Sequence, residues 1–306
     1  MLRHLARRFL LTLPALWLVL TLVFLMIHIV PGDPVEQMLG EGAAPGEAAS
    51  LRHSLGLDRP MLSQYLHYLG DLAHGDLGQS IKFQTPVRRI IFERYPATLQ
   101  LAFLAIVVCV AIAIPAGVLA ADRRGRAGDR SIGLFTLFGL AFPNFALGPV
   151  LILLFSIELG WLPVSGRGSA LSYVLPAATL GAALAAILTR MVRGAMLEEL
   201  SSDYVRTARA KGLSARAVLF RHALRNALIP IITVLGLQFG TLLGGTIVTE
   251  TIFSWPGIGR LTVQAISSRD YPLLQGCILV IALSYVLVNL LTDVLYSFID
   301  PRVRLS

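Results

Sequence analysis

The stretch DYVRTARAKGLSARAVLFRHALRNALIP, residues 203 to 230, is the one long basic, helix-compatible segment in a chain that is otherwise mostly apolar. Arg206, Arg209, Lys211, Arg216, Arg221 and Arg225 are interleaved there with Leu213, Ala217, Phe220, Leu224 and Leu228, apolar residues near the spacing of one helix face. Gly212 followed by Ser214 divides the segment, because Gly readily ends a helix and Ser caps the next. Two short helices joined at Gly212 and lying across a membrane surface are predicted.

The chain around this segment is 55% hydrophobic and 14% charged, with a mean hydropathy of +0.71, which points to an all-α polytopic membrane protein. The net charge of +8 is accordingly a signal of topology and not of nucleic-acid binding. Cys109 and Cys277 fall inside apolar runs without a CxxC pattern, so a disulfide or zinc site is not expected. Neither Lys82 nor Lys211 follows a glycine, which excludes a GxxxxGK[ST] phosphate loop: nucleotide hydrolysis, if it drives this protein, belongs to another chain. His4, His28, His53, His67, His74 and His222 are scattered and form no HExxH, which argues against a membrane-embedded metalloenzyme.

Phe9 to Val30 follows Arg3, Arg7 and Arg8 and has about the 20 residues a bilayer crossing needs. It is longer than the roughly 7 to 15 residues of a signal-peptide core and no cleavage site follows, so an uncleaved first helix is expected. Pro31 to Thr98 mixes both charge signs with turn signals, and Tyr65, Leu66, Tyr68, Leu69 and Leu72 suggest an amphipathic helix within an external cap. The cap either shields the first helix or docks an extracytoplasmic protein. Leu99–Ala121, Ile132–Ile157, Val174–Val192, Ile231–Val248 and Cys277–Ile299 complete six spans, giving segments 1–30, 31–98 and a core of 99–306 that contains the basic loop, 193–228.

Pro143 and Pro149 interrupt the third span, and Asn144 beside the first lines a polar path or makes an interhelical hydrogen bond. In the fifth, Gly236, Gly240 and Gly244 form a repeated GxxxG suited to close helix packing, with Gln238 and Thr241 as further candidates for a pathway. FSWPGIG at 253 to 259 suits a short interfacial or re-entrant element, and Asp293 in the last span reads as snorkelling or arginine-paired. With both termini inside, 17 of the 26 Lys and Arg residues lie inside, and most of the remaining nine belong to the long first loop. The positive-inside rule favours this arrangement.

A basic helical segment continuous with the fourth and fifth spans suits a passive gate driven from below, its arginines pairing with acidic groups of a soluble partner and its apolar face filling a groove. Binding to anionic headgroups is the simpler alternative. A secondary transporter would show buried coupling charges or an inverted repeat; no convincing repeat is seen, and Asp293 is the only acidic residue within a span.

PGDP at 31 to 34, YVRTARAKG at 204 to 212, HALRNALIP at 222 to 230, ETIFSWPGIGRL at 250 to 261, RDYP at 269 to 272, NLLTDVLY at 289 to 296 and DPR at 300 to 302 give the chain a resemblance. It resembles the B-type permease half of the dipeptide, oligopeptide, glutathione and nickel group of ATP-binding cassette importers. The family's cytoplasmic motif maps onto Arg206, Thr207, Ala208, Gly212, His222, Leu224 and Arg225, of which Ala208, Gly212 and Leu224 keep the pattern; Arg206 replaces a glutamate and Arg225 a proline.

The resemblance implies that the loop is a coupling helix seated on an ATPase, with Arg206, Ala208, Arg209, Lys211, Gly212, Ser214, Arg216, Phe220, Arg221, Leu224 and Arg225 as the coupling set. It also implies a second permease chain, two ATPases carrying ATP and magnesium, an extracytoplasmic solute-binding protein, a peptide or metal-chelate cargo, and residence in a bacterial inner membrane.

Overall fold

A backbone that crosses hydrocarbon must satisfy its own hydrogen bonds, and in this chain the apolar runs do so as helices. The computed structural model describes residues 2–29, 46, 50, 53 and 58–299, and no strand occurs among the described residues. The sequence blocks PGDP and DPR, most of 31–57, and the side chains of Asn144 and Asp293 lie outside the described residues.

The first helices are α1 (Leu2–Ile29), α2 (Met61–Ala73), α3 (Val87–Asp122), α4 (Ala127–Ala141) and α5 (Asn144–Leu151), the last widening into a π-type turn over Ile152–Glu158. After α6 (Val174–Leu200) come α7 (Asp203–Ala210) and α8 (Ala215–Ala217), and a second π-type turn, Val218–Ala223, joins α8 to α9 (Leu224–Gly245). The chain then folds α10 (Ile247–Ile252), α11 (Ile258–Ser267) and α12 (Tyr271–Ile299).

Among the described residues, four helices are long and apolar enough to cross a membrane: Val87–Asp122, Ala170–Leu200, Ala215–Gly244 and Tyr271–Thr292. Leu10–Leu25 is the apolar part of α1. The third span departs from expectation. Instead of one kinked helix over 132–157, Ala127–Ala141 and Phe145–Glu158 meet at 106°. Phe142 is extended, with φ −83° and ψ 120°, because the Pro143 ring disfavours helical backbone in the residue before it.

The polar start of α3 is a second departure, since the helix begins at Val87 and the expected boundary between cap and core falls inside it. Val87 and Ile91 are buried against Ile258, Leu261, Leu273 and Cys277, and this packing outweighs the loop-like look of VRRIIFERYP. In α2, Tyr65 and Tyr68 stand 5.1 and 5.6 Å from Phe24 of α1, ring to ring, while Leu66 stays exposed.

Small residues set the helix spacing. A Cβ on Gly117 of α3 would lie 2.5 Å from Val192 of α6, and one on Gly181 would lie 2.7 Å from the Ala105 carbonyl oxygen. The glycine repeat of α9 faces α12 at its first two positions: a Cβ on Gly236 would lie 2.3 Å from Thr292 Oγ1 and one on Gly240 3.3 Å from Tyr285. Gly244 has its nearest neighbour at 3.9 Å. Gly236→Val is therefore expected to separate α9 from α12 and destabilise the fold by about 1–3 kcal/mol, the usual cost of overpacking, whereas Gly244→Ala is expected to be tolerated. Thermal unfolding of the purified protein checks this; equal midpoints for Gly236→Val and the unaltered chain would contradict the packing.

Candidate coupling site and the carboxylate node at its far end

The basic segment is built around a glycine joint. In the C-terminal turn of α7, the Gly212 N–H donates to the Arg209 carbonyl (3.0 Å) and the Leu213 N–H to the Ala208 carbonyl (3.3 Å), the two bonds of a Schellman motif. Gly212 sits at φ +78°, a left-handed conformation that glycine adopts without Cβ strain. Two residues on, Ser214 caps α8 by accepting from the Ala217 N–H at 3.3 Å.

Beyond the joint, the helix does not lie apart as a second short element. It runs without a break from Ala215 into the fifth span, giving 30 residues over Ala215–Gly244. At 1.5 Å per residue this is about 45 Å, longer than a hydrocarbon core of about 30 Å, so one end projects past it.

The segment's inward face also differs from the one expected. Val205, Ala208 and Val218 are buried together, with Leu200 of α6 packed against them, and Ala223 and Ala227 are buried in the main helix cluster. Leu213 and Phe220 instead point outward, 41% and 50% exposed. Leu213 lies in the non-helical joint before α8, so no helix face includes it, and Phe220 lies in the π-type turn over Val218–Ala223, where i to i+5 bonds add a residue and rotate the face away from 3.6-residue spacing.

Of the expected coupling residues, Arg206, Arg209, Lys211, Gly212, Ser214, Arg216, Phe220, Arg221 and Arg225 are exposed, and Leu224 is half-buried. Ala208 is buried against Val205 and Val218 and holds the joint together, so it does not offer a contact to a partner. Arg206 pairs with Asp203 at 3.2 Å on the surface. Arg209, Lys211, Arg216, Arg221 and Arg225 make no ion pair among the described residues, so the segment exposes unpaired basic groups as well as Leu213 and Phe220. Of the expected pathway residues, Gln238 is buried with its Oε1 unpartnered, and Thr241 is exposed and bonds back to the Leu237 carbonyl.

The far end of α9 carries a second construction that the sequence reading did not single out. Glu250 of α10 is fully buried. Its Oε1 accepts from the Thr98 hydroxyl of α3 (2.7 Å) and the Thr246 hydroxyl (3.2 Å), and its Oε2 from the Arg260 N–H (2.9 Å). Thr98 Oγ1 in turn accepts from the Ile258 N–H at 2.9 Å. Burial pushes the Glu250 carboxyl above its ordinary value, opposed by these donors and the Gly259 N–H. Gly257 leaves room for the carboxylate, since a Cβ there would stand 2.3 Å from Oε1.

FSWPGIG is buried within the fold. Phe253 and Trp255 are buried, the Trp255 indole N–H donates to the Ala97 carbonyl (2.9 Å), and Tyr173 packs on the indole edge-on at 4.6 Å. Asp270 makes a similar node before α12, accepting from the Ser80 hydroxyl and from the N–H groups of Lys82 (3.1 Å) and Leu273 (3.2 Å). Ser254 and Arg269, beside the two carboxylates, have φ of 49° and 52°. Such left-handed non-glycine backbone persists only where its surroundings over-determine it.

The fold is that of an all-helical multi-pass membrane protein whose long helix starts at an exposed basic joint and ends beside a buried carboxylate node. Comparisons define it more narrowly. Residues 113–305 match the family described as the binding-protein-dependent transport system inner membrane component, and residues 1–102 match the N-terminal region of such membrane components. The chain belongs to this family and is a multi-pass inner-membrane permease component.

It is 46% identical over 304 residues to the glutathione transport system permease protein GsiC of Escherichia coli O6:H1, with 99% of each chain covered. It is 45% identical, again over 99% of each chain, to the protein of that name from Shigella dysenteriae serotype 1. Among solved structures, the chain is similar in fold to the inward-facing MetNI methionine ABC transporter, with a TM-score of 0.60 and 17% identity over 69% of this chain and 96% of that one. An amino acid ABC transporter solved with histidines gives a TM-score of 0.53 at 16% identity, covering 70% and 94%.

Proposed function

We propose that this chain forms half of the pore of an importer for glutathione or other short peptides and is moved by a separate ATPase at residues 203–225. The observation that carries the cargo class is the 46% identity to a glutathione permease along 99% of both chains. A second permease of the same kind completes the pore, two ATPases hold ATP and magnesium, and an extracytoplasmic binding protein delivers the peptide. Both termini and the basic loop are cytoplasmic, as the arginine distribution favours.

In mechanical terms, the exposed Arg209, Lys211, Arg216, Arg221 and Arg225 share one stretch of chain with the exposed Leu213 and Phe220, a mixture of basic and apolar groups that suits an acidic-edged groove. ATPase closure moves this segment, the Gly212 joint transmits the movement into α8, and α9 carries it across the membrane as one rod. The Glu250 and Asp270 nodes hold the outer end still, so displacement becomes tilt.

The test is uptake into proteoliposomes holding both permeases and the ATPases, with the binding protein and ATP supplied. Glutathione uptake that needs both the binding protein and ATP is expected. Transport of a different solute class by the complete complex would overturn the cargo, and concentrative uptake by this chain alone would overturn the mechanism.

A further inference from the structure

α4 leaves a groove between itself, α3 and α6. It encloses a cavity of about 560 Å³ walled by apolar side chains, among them Ile112, Phe135, Phe138, Phe142, Ala182 and Ala186. Ile132, Thr136 and Thr189 line both this cavity and a neighbouring recess of about 320 Å³ bounded by Arg130, Arg190 and Arg193. The two therefore form one trough, apolar along its length and cationic at its mouth.

The three arginines are not equivalent. Arg193 donates twice to Asp129, at 2.7 and 2.8 Å, and Asp129 also accepts from the Gly125 N–H, so this pair fastens the 122–130 turn and α4 to α6. Arg130 and Arg190 are exposed and have no anionic partner among the described residues. Two uncompensated guanidinium groups thus flank the entrance, each suited to a phosphate oxygen pair.

The dimensions fit one class of molecule. From Ile132 to Ala141 α4 rises about 14 Å, close to half of a hydrocarbon core of about 30 Å. An acyl chain laid along the trough from the arginines ends near the bilayer centre. Phe135 and Phe138 are 75% and 74% exposed, as expected for aromatic side chains with an occupant or hydrocarbon beside them. We infer that the α3–α4–α6 groove binds an anionic phospholipid, its phosphate held by Arg130 and Arg190 and one acyl chain lying along Phe135 and Phe138. A protein helix in the same place would cover the phenylalanines but leave both arginines seeking acidic groups. That the lipid comes from the cytoplasmic leaflet rests on the topology proposed above; that it occupies the groove does not.

The test uses the assembled transporter in nanodiscs containing a phosphatidylglycerol with a diazirine in its acyl chain. Photolysis is expected to label α4 and α6 peptides containing Phe135, Phe138 or Ala182 more strongly than the apolar stretch of α1. Replacing both Arg130 and Arg190 by Gln is expected to lower that labelling roughly tenfold or more, without lowering the α1 background, and inorganic phosphate is expected not to compete. On the unaltered protein, a phosphatidylcholine probe is expected to label the groove no more than α1. Uniform labelling of all apolar helices, equal labelling by both probes, competition by free phosphate, or photocrosslinks from position 138 to the companion permease would each overturn the assignment.

Discussion

Replacing Glu250 by alanine is expected to abolish uptake and lower the thermal stability of the permease. The side chain is fully buried and gathers donors from α3, from Thr246 between α9 and α10, and from the start of α11. Its removal leaves the Thr98 and Thr246 hydroxyls and the Arg260 N–H without an acceptor inside the protein. Hydrogen bonds to a charged group contribute about 1.5–3 kcal/mol each and are not additive, so a total of about 3 kcal/mol or more is expected. Glu250→Gln keeps one acceptor oxygen but turns an amide NH2 toward other donors, and should fall between alanine and the unaltered chain. Gly257→Ala should resemble Glu250→Ala, because its methyl group would occupy space 2.3 Å from Oε1. Scanning fluorimetry of the detergent-purified complex, read beside uptake, checks the series; an unchanged midpoint and unchanged uptake for Glu250→Ala would remove the anchor from the mechanism.

At the other end of α9, Gly212→Val is expected to uncouple ATP hydrolysis from uptake. The reason is backbone conformation and not crowding: nothing lies within 4 Å of a Cβ built there, but φ is +78°. Left-handed backbone costs an ordinary L-residue about 1–2 kcal/mol, and a β-branched side chain is a worse fit. The Schellman turn would relax, and Leu213 and Phe220 would lose their setting relative to α9. Uptake is expected to fall about tenfold, the equivalent of about 1.4 kcal/mol, with membrane insertion and basal ATPase activity retained. Gly212→Asn, which tolerates left-handed backbone, is expected to keep most of the uptake. If valine and asparagine behave alike, the conformation of the joint is not what transmits movement.

These two ends were unequally legible in the sequence. The joint is local: Gly212 and Ser214 carry their structural instructions within a few residues, so helix end, turn and cap could be read directly. The face presented by the following helix could not, because the π-type turn over Val218–Ala223 shifts it and Phe220 emerges where a regular helix would bury it, while Leu213 falls in the joint and not on a helix face. The carboxylate node was hidden for another reason. Glu250 and Asp270 are isolated carboxylates in sequence, and their partners Thr98 and Ser80 lie 152 and 190 positions away. The glycines at 257 and 259 were the available signal, since each leaves room for Glu250, but by themselves they read as a turn. Pro143 announced a disturbance of the third span, while the 106° bend depends on how α4 and α5 pack against α6 and α10 as well as on the proline.

The central claim is that force reaches the pore through the Arg216 side of the Gly212 joint. Its most direct measurement is Arg216→Cys in the otherwise cysteine-free complex, tested with a short bifunctional maleimide and, separately, with a membrane-impermeant maleimide on intact cells. Crosslinking to the ATPase that changes between nucleotide-free and ATP-bound states, with no labelling from outside, is the expected result. Labelling of the introduced thiol from outside, or an ATPase crosslink indifferent to nucleotide, would contradict it.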